Sequence, residues 1–126
     1  RAIHFFADRR RAGALCSAIR EDRFEDFLEL IVAGGHSSFE YNQNAYSAKN
    51  PREQGVSLGL ALSQHILEGY GAWRLQGGGF AGTIQAFVPV HLLEAYRAAM
   101  DSVFGEGSCY VLNVRNYGAL CVTEAL

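Results

Sequence analysis

Glycine is so unevenly distributed along this chain that it divides the sequence into two kinds of structure. Three of the fourteen glycines precede residue 55 and eleven lie from residue 55 onward. Glycine weakens helix and strand interiors and serves where the backbone turns sharply or is closely approached. The front of the chain therefore favours long, uninterrupted elements and the back favours short ones joined by turns. Charge follows the same division, because residues 1–54 carry eight basic and eight acidic side chains while residues 55–126 carry three and five. The second half has more surface to hide.

With 126 residues, 49% of them hydrophobic and 19% charged, the sequence has the makings of a single globular domain, 1–126, that needs no metal or disulfide to hold a core. No run approaches the roughly 18 apolar residues of a membrane span, and the first residues lack the apolar region of a secretory signal. The chain reads as cytoplasmic, with no membrane partner. A net charge of -2 and a pI near 6.1 argue against a nucleic-acid surface, leaving Arg9, Arg10 and Arg11 as a solvated helix face. Cys16, Cys109 and Cys121 form no CxxC pair and read as buried thiols. His4, His36, His65 and His91 show no metal-binding spacing, so no metal site is expected.

Apolar residues at three- and four-residue steps mark four helices. The first, over 2–20, has Phe5, Phe6, Ala12, Leu15, Cys16 and Ile19 as its expected buried face, and its uncapped start points to a longer parent polypeptide. Asp22 and Glu25 have the spacing of a capping box for a second helix, whose buried face is Phe24, Phe27, Leu28 and Ile31 and whose pattern resumes at Phe39 beyond Gly34 and Gly35. Residues 42–54 lack periodicity and read as a loop. Leu58, Leu62, Ile66 and Leu67 define a third helix ended by Gly69 and Gly71, with Ser57 as its expected cap. Leu92, Leu93, Tyr96, Met100, Val103 and Phe104 define the fourth. Strands are expected over 72–76, 83–88, 109–114 and 119–123, with a hairpin turn at 115–118. The fold class that follows is α+β, with helices packed on a small, four-stranded, mainly antiparallel sheet.

Three letter patterns invite chemistry. Gly77-Gly78-Gly79-Phe80-Ala81-Gly82 satisfies GxGxxG, but β-prone residues follow where a dinucleotide fingerprint requires a helix. Gly55-Val56-Ser57-Leu58-Gly59 satisfies GxSxG, but the polar run before it cannot be the strand that a nucleophile elbow requires. Lys49 is the only lysine and follows Ala48, so a Walker loop is absent. What remains is four glycines in six residues between two strands. They can form a turn of positive φ, or a set of bare amides that holds an anion.

The run from Arg74 to Thr83, with 84–88 after it, resembles the third conserved motif of GHMP small-molecule kinases, especially galactokinases, R-x-T-G-[AG]-G-F-G-G-[CT]-x-x-A-L-V. His36-Ser37-Ser38-Phe39 is similar to the family's S-H-x-S-L segment, and Tyr110 with Gly118-Ala119 to its closing Y…DGA stretch. Gln76, Ala81 and Arg115-Asn116-Tyr117 depart from the pattern. The resemblance implies the C-terminal, ferredoxin-like domain of a longer sugar kinase that transfers the ATP γ-phosphate, with Mg²⁺, to a sugar hydroxyl to give a sugar 1-phosphate. Gly77, Gly78, Gly79 and Gly82 would then lie on the phosphate side of the ATP site. The phosphate loop P-x-x-x-G-L-S-S-S-A and the catalytic Asp belong to the family's N-terminal domain and have no counterpart here. On this view the chain's partner is its own N-terminal domain, the isolated chain is inactive, and an apolar patch near the glycine loop allows self-association. The alternative is a non-catalytic binding or regulatory module of related fold.

Overall fold

A computed structural model describes residues 1–80 and 82–118 of the chain. Its elements are helices α1 (Ala2–Arg20), α2 (Phe24–Asn42), α3 (Gly55–Leu67) and α4 (Leu93–Phe104) and strands β1 (Ala72–Leu75) and β2 (Ile84–Phe87). A 3₁₀ turn, Val90–Leu92, leads into α4. The strands pair antiparallel, from Ala72 opposite Phe87 to Leu75 opposite Ile84. The protein is thus α+β, with four helices and, among the described residues, a two-stranded antiparallel sheet.

The expected third strand, 109–114, is not one in the structure. A strand exists only through its ladder, and its expected partner, 119–123, lies outside the described residues, as does Cys121. Within the run Tyr110, Leu112 and Val114 stand 83%, 87% and 93% exposed.

α2 is covered on two sides, which explains why it tolerates two adjacent glycines. Gly34 faces α1, where a Cβ would stand 3.3 Å from the Arg11 side chain, and Gly35 faces β1. Phe27 meets Phe87 of β2 edge to face, with ring centroids 5.2 Å apart. α3 packs on both strands and on α4. The core joins Leu67, Trp73, Tyr96 and Met100, with Val32, Leu60, Ile66 and Val88 packed around them. At its edge the buried Ser63 hydroxyl donates to the Gly59 carbonyl at 2.7 Å, so the Tyr96 hydroxyl, 2.8 Å away, donates to Ser63.

Three local expectations need correction. First, α1 does not bury its apolar stripe: Phe5, Phe6 and Ile19 are 64%, 57% and 61% exposed, and Cys16 is exposed too. α1 instead turns a polar and small-residue face to α2. Ala18 is fully buried there, His4 Nδ1 lies 3.0 Å from Ser37 Oγ, and Asp8 pairs with Arg11 at 2.6 Å. The reason lies in α2, whose facing residues include Gly34 and Ser37 and offer no socket for large rings. Second, Asp22 caps no helix with its side chain; at φ 55 it is the left-handed residue closing α1. Arg23 N–H reaches Ala18 O at 2.8 Å and Asp22 N–H reaches Ile19 O at 3.3 Å, the paired bonds of a Schellman end. Phe24 is left 60% exposed. Third, α3 begins at Gly55 with Gln54 at its N-cap, so Ser57 lies within the helix rather than capping it.

Candidate functional site

The glycine run forms the connection between β1 and β2, so a strand precedes and a strand follows it. Gln76 N–H bonds Thr83 O at 3.2 Å beyond the last ladder pair, and the loop from 77 to 82 projects from this closed end. Gly77, Gly79 and Gly82 have φ of 57, 86 and 79°, a region L side chains rarely enter, whereas Gly78 between the first two does not. The backbone therefore alternates in hand along Gly77, Gly78 and Gly79, the kind of alternation that turns successive amides toward one concavity.

Two of the four amides serve the loop itself. Gly79 N–H reaches Gln76 O at 3.3 Å and Gly82 N–H reaches Gly79 O at 3.1 Å. Among the described residues the amides of Gly77 and Gly78 have no acceptor. Both residues are exposed, and a Cβ built on either would meet nothing within 4 Å. Phe80, at the tip, is 66% exposed. The four predicted glycines therefore divide: Gly77 and Gly78 are open to a ligand, Gly79 is buried beneath the loop, and Gly82 is an open turn residue.

Beneath the loop lies a polar cluster that sequence reasoning missed. Gln43, in a left-handed conformation, ends α2 and reverses the chain, so that Asn44 returns under the glycines and is only 6% exposed. Its Nδ2 donates to Gly78 O at 2.9 Å. Its Oδ1 accepts from Ser38 Oγ at 3.4 Å, and Asn42 Nδ2 donates to Ser38 Oγ at 3.4 Å. A Cβ on Gly79 would stand 2.3 Å from Asn44 O and 2.9 Å from its carboxamide. The only hint in the sequence is the density of hydrogen-bonding residues from Ser37 to Asn44, because the contact itself spans thirty-four positions.

The other expected residues gather elsewhere. His36 is exposed while Ser37 and Ser38 are buried. A cleft of about 220 Å³ between α2 and α3 is lined by residues that include His36, Phe39, Ser57, Gln64 and Trp73. A wider trough of about 630 Å³ lies beside Arg1, His4, Asp8 and Asn42. Neither is lined by the glycine loop. Burial pushes the Tyr96 phenol and the Cys109 thiol above their ordinary values, which keeps both protonated at neutral pH. Among the described residues no three His, Cys, Asp or Glu converge on a metal position, and no helix is long and apolar enough to cross a membrane.

No protein-family model, curated protein or solved structure matches the chain.

Proposed function

We propose that this chain is the C-terminal domain of a galactokinase-like GHMP kinase and that its glycine loop forms one side of the ATP phosphate site. The observation that carries the reading is the exposed pair Gly77 and Gly78, whose amides are unused among the described residues, on a loop whose backbone alternates in hand. Such a loop lets a phosphate approach main-chain donors at hydrogen-bond distance, and phosphoryl transfer is accelerated mainly by positioning and electrostatics of this kind. The open position of the loop, outside the cleft between α2 and α3 and the trough beside Arg1, suits one wall of a cleft completed by another domain. In this reading the cytoplasmic parent enzyme binds ATP and Mg²⁺ largely through its N-terminal domain and phosphorylates the anomeric hydroxyl of a sugar.

A second reading has one observation in its favour. The Gly79 and Gly82 amides close turns within the loop, as they would in a binding or regulatory module where the glycines serve backbone shape alone.

The test is coupled ADP release. A full-length protein with P-x-x-x-G-L-S-S-S-A upstream of this domain should release ADP when a hexose such as galactose is added, and this chain alone should not. Hexose-dependent ADP release by the chain alone, or none by the full-length protein with any hexose, would overturn the proposal.

A further inference from the structure

We infer that Asn44 is a positioning residue for the glycine loop, holding the Gly78–Gly79 peptide and with it the alternating backbone that presents the Gly77 and Gly78 amides to an anion. The inference deepens the phosphate-side reading and rests on it for the identity of the ligand.

A trans peptide carries its carbonyl and its following N–H on opposite sides. In the Gly78–Gly79 peptide both ends are occupied: the Gly78 carbonyl accepts from Asn44 Nδ2 at 2.9 Å, and the Gly79 N–H donates to Gln76 O at 3.3 Å. Rotating this peptide breaks both bonds at once. It also alters φ at Gly79, now 86°, and with it the alternation in hand that defines the loop. Glycines supply no resistance of their own to such a rotation, since they populate both hands of the backbone about equally. The restraint has to come from outside the loop.

Asn44 is suited to supply it. It is 6% exposed, and Gly79 lies so close over it that any side chain there would overlap its carbonyl oxygen. The Gly78 carbonyl can only accept, so it fixes Nδ2 as the donor end of the carboxamide and leaves Oδ1 to Ser38 Oγ, which Asn42 Nδ2 in turn approaches. The line Asn42, Ser38, Asn44, Gly78 thus ties the end of α2 to the loop. Against the carboxamide stand Ser38, Gly78 and Gly79, none of which titrates.

That surrounding gives a decisive variant. Asn44→Asp keeps the shape, but an ionised carboxylate has no proton to give Gly78 O, whereas a protonated carboxyl has one. Burial beside a carbonyl raises the carboxyl's titration range, so protonation restores the donor on moderate acidification. The experiment follows the Gly78 carbonyl ¹³C resonance and the Gly77 and Gly78 amides of this chain by NMR, with pyrophosphate as the probe. Every value is taken relative to wild type at the same pH, between about pH 8 and 5. For Asn44→Asp at pH 8 the Gly78 carbonyl resonance should shift and pyrophosphate affinity should fall about tenfold, the scale of one lost hydrogen bond. Both should return toward wild type on acidification. Ser38→Ala should shift the same resonance less and at every pH. The inference is overturned if Asn44→Asp leaves the Gly78 resonance unchanged at pH 8, or if the change persists undiminished at pH 5. Should wild type fail to bind pyrophosphate while the Gly78 resonance follows the carboxyl's protonation, the phosphate-side reading falls and the positioning role of Asn44 stands.

Discussion

Gly35 of α2 rests directly on Arg74 of β1: a Cβ there would stand 3.1 Å from the Arg74 Cα and Cβ and 3.1 Å from the Trp73 carbonyl oxygen. Those atoms belong to a strand held in register against β2, so they cannot give way without disturbing the sheet. Gly34 faces the Arg11 side chain instead, at 3.3 Å from Cδ, and a long side chain can move. Alanine in a helix interior is favoured over glycine by about 1 kcal/mol, against an overpacking cost of about 1–3 kcal/mol where the surroundings are rigid. Gly35→Ala should therefore destabilise the protein and Gly34→Ala should be neutral or stabilising. Denaturant titrations of the two variants measure the contrast, and equal midpoints would contradict it.

Gly13 lies in the interior of α1, and a Cβ there meets nothing within 4 Å. With neither a packing reason nor a positive φ, it carries only the helix penalty of glycine. Gly13→Ala should stabilise the protein by about 1 kcal/mol and raise Tm by about 3–5 °C for a domain of this size. Scanning calorimetry decides it; an unchanged or lower Tm would mean that this position has a contact that the structure does not show.

These glycines also mark where sequence reading succeeds and stops. Periodicity placed all four helices, and the β-prone runs around the glycine cluster became β1 and β2. Periodicity finds the apolar stripe of a helix but not which face has a neighbour. In α1 the stripe with Phe5, Phe6 and Ile19 stays exposed because α2 opposes the other face with Gly34 and Ser37. Asp22 has the letter of an N-cap, yet the chain uses its tolerance of the left-handed region to close the previous helix. The exposed glycines of the site were legible as a cluster. Asn44 was not, because a hydrogen bond across thirty-four positions leaves no local pattern.

Tyr96 and Cys109 give the stability a predictable alkaline limb. Burial raises both above their ordinary values of 10.0 and 9.0, so the unfolded chain releases these protons before the folded one does. Below the unfolded values both states are protonated and the full contribution is present; as pH rises through and beyond them, the unfolded state is favoured and stability falls. Tyr96→Phe removes the larger of the two buried groups and the donor to Ser63. It should lower stability at neutral pH by about 1 kcal/mol and flatten the decline between about pH 9.5 and 11. Urea unfolding across that range tests both signs; a slope as steep as wild type would refute the assignment to Tyr96.

The glycine loop offers a separation of structure from ligand contact. Gly79 has a φ of 86° and would place a Cβ 2.3 Å from the Asn44 carbonyl oxygen. Substitution there strains the backbone and displaces Asn44, so Gly79→Val should unfold or severely destabilise the domain. Gly82, at φ 79° in open space, should cost about 1–2 kcal/mol on acquiring a side chain. Gly78 avoids the left-handed region and meets nothing, so Gly78→Ala should keep the wild-type Tm without ligand. If an anion rests on its amide, however, the added methyl stands in the way of that approach. In the full-length protein Gly78→Ala should lower kcat/KM for ATP about tenfold or more and remove most of the stabilisation that nucleotide provides. Thermal melts with and without ATP, read beside the kinetics, separate the cases. A Gly78→Ala enzyme with wild-type kinetics and undiminished nucleotide stabilisation would leave the loop as a turn and nothing more.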